Sequence, residues 1–512
     1  MMGTFGFGYR FGEVPMMPFP KLDPSAKVSV RRVMVERMPM SVDLGMSIRG
    51  FAPPHVDVND PRTVEHGLCC RFLSEVPQLR RQERLELRSF VRIFLKKFLK
   101  PLDVGDIPSV DEYVEGLNQP CWRKAELLRS YYDSEWLGTT PLTWRINSFG
   151  KREFYEDYKP LRWINSRDDY TKVYYGPFMH ALEKVVFDLP WFIKHVPVSE
   201  RPEALKKKLF KAGAVYIQTD YSKFEKHFSP SLIRSVEGQL YKWMLQRFPG
   251  VADSYVNMIS GVQKCKHKYV KAQVLGKRMS GDLVTSVGNG FTNLMLMLYI
   301  AYKKTGRIWN GVVEGDDGLF TEEGEGVCSK DFEDLGFSIK LVKHYSFSSA
   351  SFCGILSEEQ ALQTIRDPRW LLCKFGWSHS QRLRGGRRVL LGLLRAKCFS
   401  CLYELPSCPI VTAFARRGLE LTTGYEPIFD ESWWEREQRK MWGKLEFPPI
   451  TLATRQMVSE LYGISIQCQM RVEKVISTLQ LEFCGHPEIC DLLASHEKAN
   501  VWMDYYDRFV GA

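Results

Sequence analysis

The stretch NGVVEGDDGLF, from Asn310 to Phe320, has an apolar pair on one side, an apolar pair on the other, and Gly-Asp-Asp between them. Short apolar runs bounded by glycine and acidic residues read as strand, tight turn, strand, with Gly315 relaxing the turn and Asp316 and Asp317 exposed at its tip. Alone, such letters also make an ordinary surface hairpin. Their weight comes from a second segment, AVYIQTD, in which an apolar run ends on Asp220 and a further acid, Glu225, follows five residues on. Two carboxylates at strand ends, Asp220 and Asp316, could then lie side by side on one sheet.

Between these segments stands SGDLVTSVGN, Ser280 to Asn289, a glycine-containing loop that leads into an apolar run. The pattern predicts a helix from about Thr285 to Lys304, closed by Gly306 just past its end. The loop offers hydroxyl and amide groups suited to a nucleotide sugar. Converging carboxylates are what nucleotidyl transfer needs, because two divalent ions, one at the attacking hydroxyl and one at the leaving phosphates, must be held about 4 Å apart. Ser229-Pro230 starts a further helical pattern with a capping serine and a proline at the first turn. From about Glu83 to Lys100, apolar residues recur at helical spacing between basic ones, as in a core-packed helix with a basic outer face.

In this order and spacing, the three segments resemble the motifs lettered A, B and C of positive-strand RNA virus RNA-dependent RNA polymerases. The resemblance extends to a basic segment, Lys151 to Arg167, in which Lys159, Arg162 and Arg167 would grip the incoming triphosphate. It extends downstream to Gly336–Lys340, whose Lys340 would protonate pyrophosphate, and to Ser351–Gly354, which is similar to a primer-grip turn. It implies Asp220, Asp316 and Asp317 as metal ligands for two Mg2+ or Mn2+ ions. It also implies nucleotide contacts from Glu225, Ser280, Gly281, Thr285 and Asn289, with Glu225 orienting Asn289 toward the sugar. Glu225 departs from the family's usual aspartate. The wording around Ser280 and Arg162 is closest to the tombusvirus-like and related branches.

What the resemblance implies for the fold is an α+β right hand: an N-terminal arm at 1–26 bridging fingers and thumb, fingers at 27–213 with later contributions, a palm with an antiparallel sheet at 214–355, and a mostly helical thumb at 356–512. Its partners would be template and product RNA, ribonucleoside triphosphates and other viral replication proteins. The expected place is the host cytoplasm, with recruitment to membrane-associated replication sites through a partner. A reverse transcriptase would share the palm but carry an aromatic residue before the paired acids, where Gly315 stands here. A catalytically silent RNA-binding subunit would need only the basic charge.

The bulk properties agree with a polyanionic partner. The 512 residues carry a formal charge of +11, and cations that neutralise phosphates release condensed counterions. The 13 cysteines form no evenly spaced framework and read as reduced thiols. Cys398-x-x-Cys401 with Cys408 has no matching second pair for zinc. No apolar stretch approaches the roughly 18 residues of a membrane span, the longest being Leu294 to Ala301. Arg382 to Arg388 reads either as a loop tracking an RNA backbone or as a solvated turn, and Trp433 and Trp434 as core aromatics.

Overall fold

The computed structural model describes residues 18–31, 41–136, 145–324, 326–379, 385–429 and 447–510. Its first ten strands are β1 (Lys27–Val30), β2 (Ser41–Asp43), β3 (Arg145–Gly150), β4 (Trp163–Arg167), β5 (Tyr216–Tyr221), β6 (Val262–Lys266), β7 (Val270–Leu275), β8 (Gly311–Glu314), β9 (Asp317–Thr321) and β10 (Ile339–His344). Five of them form one sheet in the order β1-β7-β6-β3-β4, and four form another in the order β10-β5-β9-β8. The four-stranded sheet is antiparallel throughout, while the five-stranded sheet contains one parallel pair, β3 with β6.

The four-stranded sheet rests on the helix Thr285–Thr305, in which every residue from Val287 to Ala301 is buried. A helix apolar on all sides is stable only inside a core, and this one lies in the largest apolar cluster of the molecule. It stops where expected: Gly306 takes a left-handed φ of 70°, and its N–H donates to the Tyr302 carbonyl at 2.8 Å. The basic-faced helix spans Arg81–Phe98 and buries Leu87, Val91, Phe94 and Leu95 in the same cluster.

The helix expected from Ser229 is divided in two. Pro230–Ser235, capped by the Ser229 hydroxyl, is separated from Glu237–Met244 by Val236, whose φ of −113° and ψ of −88° are not helical. A second apolar cluster is built from the C-terminal helices together with Leu44, Met46, Ile48 and Phe51. These N-terminal residues reach it because β2 pairs with Trp377–His379 and Ile48 bridges Cys484. The segment from 41 to 51 therefore ties the two ends of the chain together. The first 17 residues of the expected arm lie outside the described residues, as do Trp433, Trp434 and Arg382 to Arg384.

Candidate active site

The turn at Gly315-Asp316 is a two-residue hairpin, with Glu314 and Asp317 paired on either side. Gly315 has φ +62°, a conformation that penalises any residue with a Cβ, although a Cβ there would meet nothing within 4 Å. Asp316 stands in the turn, whereas Asp317 is the first residue of β9. On the neighbouring strand Thr219 pairs with Gly318, so one step further along the register Asp220 comes abreast of Asp317. On its other side Asp220 lies directly opposite Lys340 of β10. The sheet thus gathers Asp220, Asp316, Asp317 and Lys340 at one end of three adjacent strands.

These carboxylates repel one another. Burial, and then the charges of Glu225 and Asp220, raise the Asp316 carboxyl above its ordinary value. Asp317 is pushed up to about 6 by burial and by Asp316, against the pull of the Cys353 thiol that hydrogen-bonds to it. Hard carboxylate oxygens with unrelieved negative charge suit a divalent cation such as Mg2+. Among the described residues, however, no three His, Cys, Asp or Glu side chains already stand close enough together to hold a metal. The donor chemistry fits such an ion, and binding would have to draw the carboxylates inward.

Around this centre the other expected residues divide. Arg162 is half exposed and ion-paired to Glu153 at 3.3 Å; burial opposes its charge, but the fields of Glu153, Glu225 and Asp316 favour it. It therefore lies within electrostatic reach of Glu225 and Asp316. Glu225 accepts from the Ser280 hydroxyl at 3.2 Å and lies 3.8 Å from Arg71. It meets the loop at Ser280 rather than at Asn289, the residue expected from the sequence. Asn289 is buried one helical turn before Asn293, its Oδ1 unpartnered and shut off from solvent. Gly281 has φ +128°, and a Cβ on it would fall 2.8 Å from the Asn165 carbonyl. Thr285 is occupied locally: its hydroxyl donates to the Met279 and Asp282 carbonyls and accepts from the Gly281 N–H.

One of the basic residues is placed differently from the expectation. Arg167 does not face the centre; its side chain is 1% exposed, donating from Nε to Asp282 at 2.6 Å and from Nη2 to Gln263 at 2.7 Å. The reason is strand parity, because β4 alternates buried and half-buried residues from Trp163 onward and Arg167 falls on the buried side. Lys159 is exposed, beside Asp157.

Sequence reading also missed several residues. Asn293 donates from Nδ2 to the Asp316 carbonyl at 3.1 Å and accepts from Tyr221 at 3.2 Å, gripping the turn from behind. Arg278 forms a buried ion pair with Glu237 at 2.5 Å. With Arg167–Asp282 it pins both ends of the loop that carries Ser280 and Gly281. Lys277, buried next to it, donates to the Lys226 carbonyl at 2.8 Å and pairs with Asp23 at 3.6 Å.

Residues 156–365, which include both acidic strands, the loop and the basic strand β4, match a family model described as viral RNA dependent RNA polymerase. Among curated proteins, the chain is similar to the RNA-directed RNA polymerase of striped jack nervous necrosis virus, 24% identical over half of this chain. It is also similar to the polymerase of the same name from greasy grouper nervous necrosis virus, 25% identical over 52% of this chain. The matched regions cover 26% and 28% of those two relatives, so the chain spans about a quarter of the length of the curated relatives it matches.

Proposed function

We propose that this chain is the RNA-dependent RNA polymerase of a positive-strand RNA virus, copying an RNA template from ribonucleoside triphosphates by two-metal nucleotidyl transfer. The observation that carries the reading is the gathering of Asp220, Asp316 and Asp317 on adjacent strands, with Arg162 in electrostatic reach of Asp316. The family match over 156–365 and the nervous necrosis virus relatives support it. On this reading the four-stranded sheet is the palm, the five-stranded sheet belongs to the fingers, and the C-terminal helices are the thumb of a right hand. The SGDxxTSxGN wording of the loop favours kinship with tombusvirus-like branches.

Asp220, Asp316 and Asp317 would hold divalent cations, Mg2+ or Mn2+, which when bound supply charge neutralisation at the attacking hydroxyl and the leaving phosphates. The chain's own residues do the rest. Arg162 holds the triphosphate through charge-assisted hydrogen bonds. The unpartnered Oδ1 of Asn289 accepts from the sugar 2′-hydroxyl, a group that is both donor and acceptor. Ser280, held by Glu225, lines the same approach. Lys340, exposed across from Asp220, is placed to give a proton to pyrophosphate. Catalysis is then mainly positioning and electrostatics. The template and other viral replication proteins are the expected partners, in the host cytoplasm. No described helix is long and apolar enough to cross a membrane, and a partner would supply any recruitment to membrane-associated replication sites.

The test is extension of an RNA primer on an RNA template by the purified chain, with ribo- and deoxyribonucleotides compared. Ribonucleotide-selective elongation is expected. RNA binding without elongation would instead mark a silent RNA-binding subunit, and elongation with deoxyribonucleotides preferred would mark a reverse transcriptase. The Asn289 assignment has its own check, since Asn289→Ala should lower kcat/KM for ATP more than for 2′-deoxy-ATP.

A further inference from the structure

The five-stranded sheet covers its inner face with the helix Pro61–Leu68 and the turn that follows, packed on Ile146, Trp163, Cys265, Ala272 and Val274. By the strand period of two, the alternate residues point the other way, and these carry a single sign of charge. Register places Lys27 opposite Gln273 and Gln273 opposite Lys264. The next row runs Ser29, Lys271, Lys266, Asn147, Ser166 across all five strands. Lys27, Lys264, Lys266 and Lys271 are exposed, as are Arg31 at the end of β1 and Lys268 in the β6–β7 turn.

No acidic residue stands in either row, and among the described residues none of the six cations has a carboxylate within ion-pair distance. Lys266 and Lys271 are directly opposed, an arrangement that destabilises a sheet. The repulsion is relieved when a polyanion lies across it. From the sheet's position and charge, we propose that this outward face is a second RNA-binding surface. It would track the phosphate backbone of a single-stranded template outside the catalytic cleft.

Three features favour RNA over an anionic lipid surface. Neutral hydrogen-bonding side chains, Ser29, Gln273, Asn147 and Ser166, interleave with the lysines in the same rows and can meet sugar hydroxyls. Phe149, 52% exposed on β3, gives a base a stacking platform beside the cationic band. The sheet is also tied to the candidate site by the chain itself, since β7 leads through Gly276 into the loop bearing Ser280, and β4 ends on Arg167, which holds that loop.

That the strand bound here is template rests on the polymerase reading; the binding itself does not. The experiment replaces Lys27, Lys264, Lys266 and Lys271 with Gln. The affinity of an unstructured fluorescent single-stranded RNA is then measured between about 50 and 200 mM salt, the range over which phosphate contacts dominate. Four lost contacts should flatten the log–log slope by about 2.8, which makes the loss of affinity across that range roughly 50-fold smaller than in the parent chain. The matched Lys→Arg variant should keep the parent slope, and an unchanged melting temperature would confirm that the Gln variant is folded.

A slope within about 0.7 of the parent, one phosphate contact, would overturn the proposal. So would loss of binding to phosphatidylserine-containing vesicles with the RNA slope intact, an outcome that would assign the face to membranes. Extension of a short primed template is read in parallel. If the parent chain fails to elongate while the slope behaves as expected, the polymerase reading falls and the surface stands.

Discussion

Cutting the Arg167–Asp282 pair tests how the loop of the candidate site is held. Both side chains are at most 2% exposed, the guanidinium approaches Asp282 at 2.6 Å through Nε and 3.4 Å through Nη2, and Gln263 takes the remaining Nη2 interaction at 2.7 Å. Truncating Arg167 to Met leaves Asp282 as a buried charge without its ion-pair partner, a loss of about 3 to 5 kcal/mol. That is about a fifth or more of the roughly 5 to 15 kcal/mol that stabilises a folded domain. Asp282→Leu alone should cost a similar amount by orphaning the guanidinium. The double replacement removes both charges, and apolar substitutes for a buried pair are often tolerated, so it should be less destabilised than the sum of the singles by about 2 kcal/mol or more. Denaturant unfolding of the four proteins in the cycle reads this directly, with hydrogen exchange of residues 276–284 reporting the loop. Additive effects, or single variants within about 1 kcal/mol of the parent, a far smaller loss than an orphaned buried charge should cause, would refute the clamp.

Gly281→Ala should impair elongation without lowering RNA affinity. Its φ of +128° and the 2.8 Å approach to the Asn165 carbonyl force the loop to shift; an unaltered kcat in a primer-extension assay would contradict this. Glu183, on the helix Asp169–Phe187, has its carboxyl pushed up to about 7 by burial, opposed by Lys194. The folded state therefore holds this proton more tightly than the unfolded chain, and the associated stability is complete below about pH 4.5 and lost as pH rises through 7. Glu183→Gln should accordingly raise Tm at pH 8 and leave it unchanged near pH 4.5. Equal shifts at both pH values would show that the carboxyl is not the cause.

Much of this arrangement was legible from local pattern. The Gly315 turn, the strand ending near Asp220 and the helix closed by Gly306 each rest on a signal contained within a few residues, and each formed where expected. Arg162 and Arg167 show where reading by kind of residue fails. Both are arginines in one basic segment, but five positions apart in an extended run means opposite faces, so Arg167 is buried while Arg162 stays exposed, within reach of the acids' charge. That parity was available in the sequence. Asn293 carried a subtler sign, a lone amide one helical turn beyond Asn289 in an otherwise apolar run. Arg71 beside Glu225, and Arg278 with Glu237, left no such sign, because each joins segments 41 or more positions apart and neither partner constrains the other's neighbours. Likewise, the long pattern from Ser229 carried no mark of the break at Val236.

The central claim is that the acids at the ends of β5 and β9 and in the turn before β9 carry nucleotide addition. Its most direct test is single-turnover extension of a primed RNA template by the parent chain and by Asp316→Asn, with RNA affinity measured on the same preparations. Asp316→Asn removes one carboxylate from the cation-binding set and leaves the basic surfaces alone. Elongation should fall by about 10³-fold or more, in keeping with the several kcal/mol of charge stabilisation that metal ions supply, while RNA affinity stays within a few-fold. Elongation by Asp316→Asn at close to the parent rate, with RNA binding preserved, would contradict the account.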